Sequence, residues 1–564
     1  MYTFKTLQGL FSHIEQNIDN DNYLNYLEDG IWLKYSSSLF ISNVKRLAYG
    51  LREHGVKKGT CVAILTPSSP QWLMFDYALQ LLGAISVPIF SNVSTKNLNY
   101  ELKNADIKHI FLLEEDKSKI LENSEFDIEF TLTLQELHNF LSKYYELTDI
   151  EDIYEDDIAT IIYTSGSTGV PKGVELSHKN IVTNIYDTAK KFPVGSSDVA
   201  LSFLPLAHIF ERMVMSFYLA QGTSIYFADD VKNVPNLLKE LNPTLMTLVP
   251  RLLEKIDLAM HQKALDGSFI KKLIALMALG LIKKEINKKS FIFKIFDKLV
   301  YSKFRQAFGT NMRMLICGGA PLAYKNELFF KNIGMEIYQG YGLTETSPVI
   351  CANAPGDKKD TTCGLKFDSV EVKITAENEL VVRGDSVFKH YHKIQESPLD
   401  DDGWFHTGDL AHIDDDGYIS IDGRLKELFK TSNAKFVSAI AIEQSLTQNR
   451  WIDYATIVAD NKTFVSALLF LDPIFLENYA SRYNLSHLEY KDLIKHKKVA
   501  KHISKIVHIT NKNLNSWERI KKYELIEDIP SIESGILTPS MKVSRAAVYE
   551  KYDDIIKTIY GDLS

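Results

Sequence analysis

The chain has 564 residues, 45% of them hydrophobic and 24% charged, an ordinary globular balance with material for several domains. A net charge of -8 excludes a general nucleic-acid binder, which carries a basic surplus. The cysteines Cys61, Cys317, Cys351 and Cys363 form no CxxC pair and are too sparse for a disulfide scaffold, so a reducing, cytoplasmic setting is expected.

The opening residues lack a basic stretch followed by an apolar one, and no secretory signal is read there. Cys61–Thr66 reads as a buried strand, Gln71–Gly83 as a helix, and Ala84–Phe90 and Ile107–Leu113 as strands. That alternation implies parallel β/α units. A second such region starts at Asp157, where an apolar strand runs into Tyr163–Val174, YTSGSTGVPKGV. A third is centred on Met312–Leu322, a strand ending in Gly318 and Gly319.

Between these lies a locally basic stretch. From Gln262 to Arg305 eleven lysines and arginines stand against Asp266, Glu285 and Asp297. Its apolar run Leu273–Ile282 is about half the ~20 residues a spanning helix needs. A basic helical insertion over about 259–305 is therefore expected, as either a packed hairpin with a solvated lysine face or a patch touching a membrane. After Asp422 the chain turns lysine-rich and charged. This places a boundary at Asp422–Gly423, with domains 1–422 and 423–564.

The segment after the strand at Asp157 is rich in Gly, Ser and Thr. Glycines let backbone N–H groups point inward and approach a ligand closely. Thr164, Ser165, Ser167 and Thr168 add hydroxyl donors around Gly166 and Gly169, and Lys172 adds a positive charge. The loop suits a polyphosphate. It is not a GxxxxGK[ST] loop, because Lys172 follows Pro171 and precedes Gly173.

This loop resembles the signature of the adenylate-forming enzymes, which include acyl-CoA synthetases, luciferases and peptide-synthetase adenylation domains. So do, in order, LPLAHIFER (Leu204–Arg212), CGGAPL (Cys317–Leu322), YQGYGLTETSP (Tyr338–Pro348), WFHTGDL (Trp404–Leu410), the block from Asp422 to Glu443, and LTPSMKVSR (Leu537–Arg545). Together they span nearly the whole chain. The resemblance implies an α/β fold: a large N-terminal domain of two β/α layers plus a distorted β-barrel, and a small mobile α+β C-terminal domain.

It also implies roles. Lys542 would bridge the carboxylate and the α-phosphate of ATP. Thr344 would donate to that phosphate, and Glu345, aided by Thr164, would hold Mg²⁺. Gly318, Gly319 and Ala320 would approach the adenine, with Gln339, Gly340, Tyr341 and Gly342 around the nucleotide. Asp409 and Arg424 would take the ribose. Lys426 would be the hinge, and Ala434 would lie on the coenzyme A path.

Leu204–Arg212 and Leu248–Ile256 resemble the long-chain branch in particular, so the expected substrates are ATP, a fatty acid and coenzyme A. His208 would sit at the mouth of the acyl pocket. Ala434 and Ala439 replace the family's usual glycine and proline, and the added methyl at Ala434 would narrow the thiol's path. A fatty acyl-AMP ligase serving a free carrier protein, with no carrier domain expected after Lys542, is the rival enzyme. A non-catalytic lipid- or nucleotide-binding relative is the rival of another class. A homodimer is left open.

Overall fold

The computed structural model describes residues 3–121, 126–165, 170–265, 268–282, 286–431, 436–538 and 541–561. They form two compact units. The first is Met1–Ser91, Thr95–Thr407 and His412–Ile421; the second is Asn92–Ser94, Gly408–Ala411 and Asp422–Ser564.

The first unit holds two large sheets. One runs, in spatial order, Phe130–Thr133, His109–Leu112, Cys61–Leu65, Ile85–Pro88, Ile158–Ser165 and Pro171–Ser177. Its strands are parallel except the last, which returns antiparallel to Ile158–Ser165. Val62–Leu65 are buried, as expected of a strand covered on both faces, which is why its sequence shows an apolar run rather than alternation.

Ordinary capping explains the helix between two of these strands. Ser69 accepts from the Trp72 N–H at 3.2 Å, Pro70 takes the first helical position, and the helix Pro70–Leu82 ends at Gly83 with φ 63°. Pro suits a position whose N–H is unpaired anyway, and Gly carries no penalty at positive φ.

The second large sheet has nine strands. Its parallel part runs Ile337–Gly342, Met314–Cys317, Leu245–Leu248, Val199–Ser202, Ser224–Phe227 and Leu24–Glu28. From Val199–Ser202 the chain moves to one side, and from Leu245–Leu248 to the other. A crevice therefore opens at the carboxyl ends of these two neighbours, the usual ligand position in an open α/β sheet. Where a distorted barrel is expected, a four-stranded sheet runs in a row, Val370–Ile374, Glu379–Gly384, Phe405–Ile413 and Ile419–Arg424.

The second unit is α+β. Strands Ile452–Val458, Val465–Leu471 and Ile520–Leu525 form its sheet. Every residue of Val465–Leu471 is buried, and the two faces serve different cores. Ala467, Leu469 and Leu471 pack with helices Ala439–Thr447 and Lys497–Lys512. Leu468 and Phe470 pack with Val548, Tyr552 and Ile556 of the C-terminal helices. The two-residue period of a strand dictates that division.

Candidate active site

Four loops leave the carboxyl ends of parallel strands in the nine-stranded sheet, and each carries part of a resemblance block. Leu204–His208 follows Val199–Ser202, and Pro250 follows Leu245–Leu248. Gly318–Ala320 follows Met314–Cys317, and Thr344–Glu345 follows Ile337–Gly342. The parallel register thus gathers residues more than a hundred positions apart.

The turn bearing Thr344 and Glu345 is clamped from below. The Leu343 N–H and the Thr346 hydroxyl both donate to the Pro348 carbonyl, at 3.0 and 2.7 Å. Buried Asn184, on helix His178–Lys191, donates to the Val349 carbonyl at 2.8 Å and accepts from its N–H at 3.3 Å. A Cβ at Gly342 would stand 1.7 Å from the Pro348 oxygen, so glycine is required where the strand meets this turn. Gly319, with φ 80°, is a second position that favours glycine.

Glu345 is held by a residue the sequence reading did not single out. The Tyr391 hydroxyl donates to Glu345 Oε1 at 2.9 Å, and Lys172 Nζ lies 5.0 Å from the centre of the same ring. One tyrosine therefore couples the lysine that follows the phosphate loop to the carboxylate expected at magnesium. Burial, then the Glu345 charge, push the Tyr391 phenol above its ordinary pKa, so it stays protonated and donates. The His392 N–H donates to the Gly173 carbonyl at 2.7 Å, and its Nδ1 lies 2.8 Å from Glu175 Oε1. These contacts fix the Tyr391 segment onto the hairpin in which Thr164 pairs with Lys172. The signal in sequence was the run HYH at 390–392, but nothing local says what it faces.

The other nucleotide candidates of this unit separate by accessibility. Gly319 and Ala320 are exposed, and Gly340, Tyr341, Gly342 and Thr344 are half-buried. Gln339 is buried, with its amide on Cys363 Sγ at 3.4 Å, so what it offers the crevice is backbone. His208 caps helix Ile209–Ala220, its Nδ1 accepting from the Phe210 N–H at 3.2 Å. A Cβ on Gly318 would meet the Phe210 ring at 3.0 Å.

The helix that His208 caps also lines a small cavity of about 30 Å³ with an almost wholly apolar lining. Phe210, Met213, Val214 and Phe217 of the same helix form one wall, and Ile316, Tyr338 and Gly340 of the sheet form another. The helix is tied down by charge. Arg212 makes a two-pronged pair with Asp76, at 2.6 and 2.8 Å, and donates to Ser86 Oγ at 2.8 Å. Glu211, 1% exposed, accepts from Ser202 Oγ at 2.6 Å. Burial raises its carboxyl pKa to about 8, so it carries a proton at neutral pH.

The second unit presents the remaining candidates. Arg424 Nε donates to Asp409 Oδ1 at 2.8 Å. Lys542 sits on a tight loop. Its carbonyl accepts from the Thr538 N–H at 2.8 Å, its own N–H donates to Thr538 Oγ1 at 3.2 Å, and Leu537 bridges Val543. The loop is anchored by Arg545, which grips Glu443 at 2.6 and 2.9 Å and donates to the Ile457 carbonyl at 3.0 Å. Desolvation first, then the Arg424 charge, hold the Lys542 ammonium below its ordinary pKa, with Asp409 and Glu427 acting oppositely. Lys542, Arg424 and Asp409 thus share one electrostatic neighbourhood.

Several expected residues fall outside the described set. Gly166, Ser167, Thr168, Gly169 and Ala434 lie outside it, and for Ser165 and Lys426 it covers the backbone alone. Ala439 opens helix Ala439–Thr447 and is buried. Among the described residues no three His, Cys, Asp or Glu side chains form a metal cage. Glu345 and the Thr164 hydroxyl, expected at magnesium, are oxygen donors of the kind that ion takes.

The profile of the AMP-binding enzyme family matches residues 19–392, and that of the AMP-binding enzyme C-terminal domain matches 427–564. The chain belongs to the AMP-binding enzyme family. A long-chain-fatty-acid–CoA ligase of Mycobacterium bovis is 30% identical to this AMP-binding enzyme, over 97% of this chain and 96% of that protein. Long-chain-fatty-acid–CoA ligase 5 of Rattus norvegicus is 27% identical over 100% and 90%. Among solved structures, ATP-bound MatB from Rhodopseudomonas palustris shares the fold, with TM-score 0.73 and 22% identity over 98% of this chain and 99% of that one. So does o-succinylbenzoate coenzyme A synthetase from Bacillus subtilis, in complex with ATP and magnesium ion, with TM-score 0.70 and 19% identity over 95% and 98%.

Proposed function

We propose that this AMP-binding enzyme is a long-chain-fatty-acid–CoA ligase that works through an acyl-adenylate. In the first step a carboxylate oxygen forms a bond to the α-phosphorus of ATP. The bond from that phosphorus to the β-bridging oxygen breaks, and pyrophosphate leaves. In the second step the sulfur of coenzyme A bonds to the acyl carbon, the acyl–phosphate bond breaks, AMP leaves, and the thiol proton passes to solvent.

The grouping of Lys542 with Arg424 and Asp409 carries the reading. Attack of an anion on an anionic phosphate needs a fixed positive charge where negative charge builds up. A lysine within electrostatic reach of the pair expected at the ribose offers that charge to the innermost phosphate. Thr344 donates to the same phosphate. Magnesium, when bound, supplies further positive charge against the phosphates, and Glu345 with Thr164 would hold it. Tyr391 orients the Glu345 carboxylate, and Lys172 adds a cation on the phosphate-loop side. The domain division at Asp422–Gly423, with Lys426 as its hinge and Ala434 on the thiol's path, belongs to the same reading.

The apolar lining beside helix Ile209–Ala220 is compatible with an aliphatic acid, for which each buried methylene contributes about 0.8 kcal/mol, but the cavity of about 30 Å³ must open to take a long chain. Such a substrate partitions into bilayers. The reading therefore includes peripheral contact of the insertion over 259–305 with a membrane; among the described residues no helix is long and apolar enough to cross one. The test is direct. Purified protein is incubated with ATP, Mg²⁺ and palmitate, with and without coenzyme A, and AMP and palmitoyl-CoA are followed by mass spectrometry. Palmitoyl-CoA is expected. Adenylate without thioester would overturn the second step, and no AMP from any fatty acid would overturn both.

A further inference from the structure

We infer that the insertion docks on an anionic lipid bilayer through the outward faces of two short helices. This rests on the peripheral contact proposed above and names its surface and its partner. In helix Phe269–Leu281 the buried residues Ala275, Ala278 and Leu279 form one stripe. The opposite stripe is also apolar: Phe269 is 82% exposed, and Ile270, Leu273, Leu276 and Met277 are exposed with it. An exposed apolar stripe of this kind marks a contact surface rather than a solvated one. The short helix Phe291–Phe296 repeats the pattern, with Phe293 buried and Phe291, Ile292 and Ile295 exposed.

These outward faces are built on a packed base. Ala278, Leu279 and Ile282 share a core with Phe293, Tyr301 and Phe304. The Tyr301 hydroxyl donates to the Ala278 carbonyl at 2.8 Å, and Asn332 donates to the Ile282 carbonyl at 3.0 Å. The exposed apolar residues are therefore presented by a fixed scaffold.

Charge selects the partner. Lys272 borders the first face, and Lys288, Lys289, Lys294 and Lys298 lie on or beside the second helix; all are exposed. Asp297, the acid among residues 286–305, is held by Arg305 at 2.7 Å. Aliphatic and phenyl side chains edged by lysine match the acyl boundary and phosphate layer of an anionic membrane. A protein partner fits less well, because lysine is depleted at protein–protein interfaces.

The test is flotation of the full chain with vesicles of phosphatidylcholine alone or mixed with phosphatidylglycerol. At low salt the protein is expected to float on the mixed vesicles at least about tenfold more than on the neutral ones, and to be released at high salt. The double variant Ile270→Glu/Phe291→Glu should lose about tenfold of that binding. Its ATP–pyrophosphate exchange with a dispersed fatty acid should stay unchanged, since both positions are exposed and outside the site. No flotation of the native chain, or equal flotation of the variant, would overturn the inference. So would a native dimer by light scattering that the variant splits while vesicles bind neither, since a second copy would then cover these faces. Flotation needs no catalysis, so a chain that floats yet makes no palmitoyl-CoA would sink the proposed reaction and leave this surface standing.

Discussion

Replacing Glu211 by Gln isolates a titration that the fold imposes on the helix lining the apolar cavity. The carboxyl is buried, and its pKa rises from 4.5 to about 8. Below pH 4.5 both the folded and unfolded chains hold the proton, and the group's full contribution to stability is present. As pH rises from 4.5 towards 8 the unfolded chain gives up the proton while the folded one keeps it, so stability falls. From pH 6 to pH 8 that loss is about 2 kcal/mol for one group shifted this far. Gln keeps an acceptor for the Ser202 hydroxyl and has no proton to lose. Urea unfolding of both proteins at pH 6 and pH 8, followed by tryptophan fluorescence, should show the native chain losing that much more than the variant over the interval. Parallel pH dependences would refute the argument, for they would mean that the carboxyl is already ionised in the fold or reaches solvent.

Four further outcomes are expected. Lys542→Ala should slow palmitate-dependent pyrophosphate exchange on the order of 100-fold or more, the size of loss seen when one transition-state donor is removed; in the native enzyme the basic limb of kcat/KM should fall below an ordinary lysine's pKa, because activity is lost as the depressed ammonium deprotonates. Tyr391→Phe removes a hydrogen bond to a charged group worth about 1.5–3 kcal/mol, and should raise the Mg²⁺ concentration needed for half-maximal rate by roughly tenfold, with a matching fall in the unfolding midpoint. Gly342→Ala places a methyl against the Pro348 carbonyl and should abolish exchange with secondary structure retained by circular dichroism. Val214→Phe fills part of the pocket and should shift preference from palmitate towards shorter acids in a chain-length series of kcat/KM.

The β/α layers were legible because buried parallel strands and capped helices leave strong local marks. Cys61–Leu65 stands as an unbroken apolar run, and Pro70–Leu82 is announced by Ser69 and Pro70 and closed by Gly83. What was not legible depends on distance along the chain. Tyr391 meets Glu345 across 46 residues, and Asn184 reaches the Val349 turn across 165. Neither partner alters the other's neighbourhood in sequence. Glu211 reads as an ordinary acid in the first turn of a helix, where acids are common. Its burial follows from the sheet packed against it. The pocket was hidden for the same reason, since its walls come from separate elements joined by the crossover of the nine-stranded sheet.

The hairpin of Ile158–Ser165 and Pro171–Ser177 has an energetic consequence. In many nucleotide folds the strand before the phosphates feeds directly into a helix, whose aligned peptide dipoles supply a diffuse positive field. Here the element that follows is another strand, and strand dipoles largely cancel. On the proposed function a polyanion here would be met by local backbone and hydroxyl donors of the Gly-rich loop together with discrete side-chain charges, rather than by a helix dipole. The side-chain charges can be deleted or screened separately, so affinity for the nucleotide should decline in steps with their successive substitution and steadily with ionic strength.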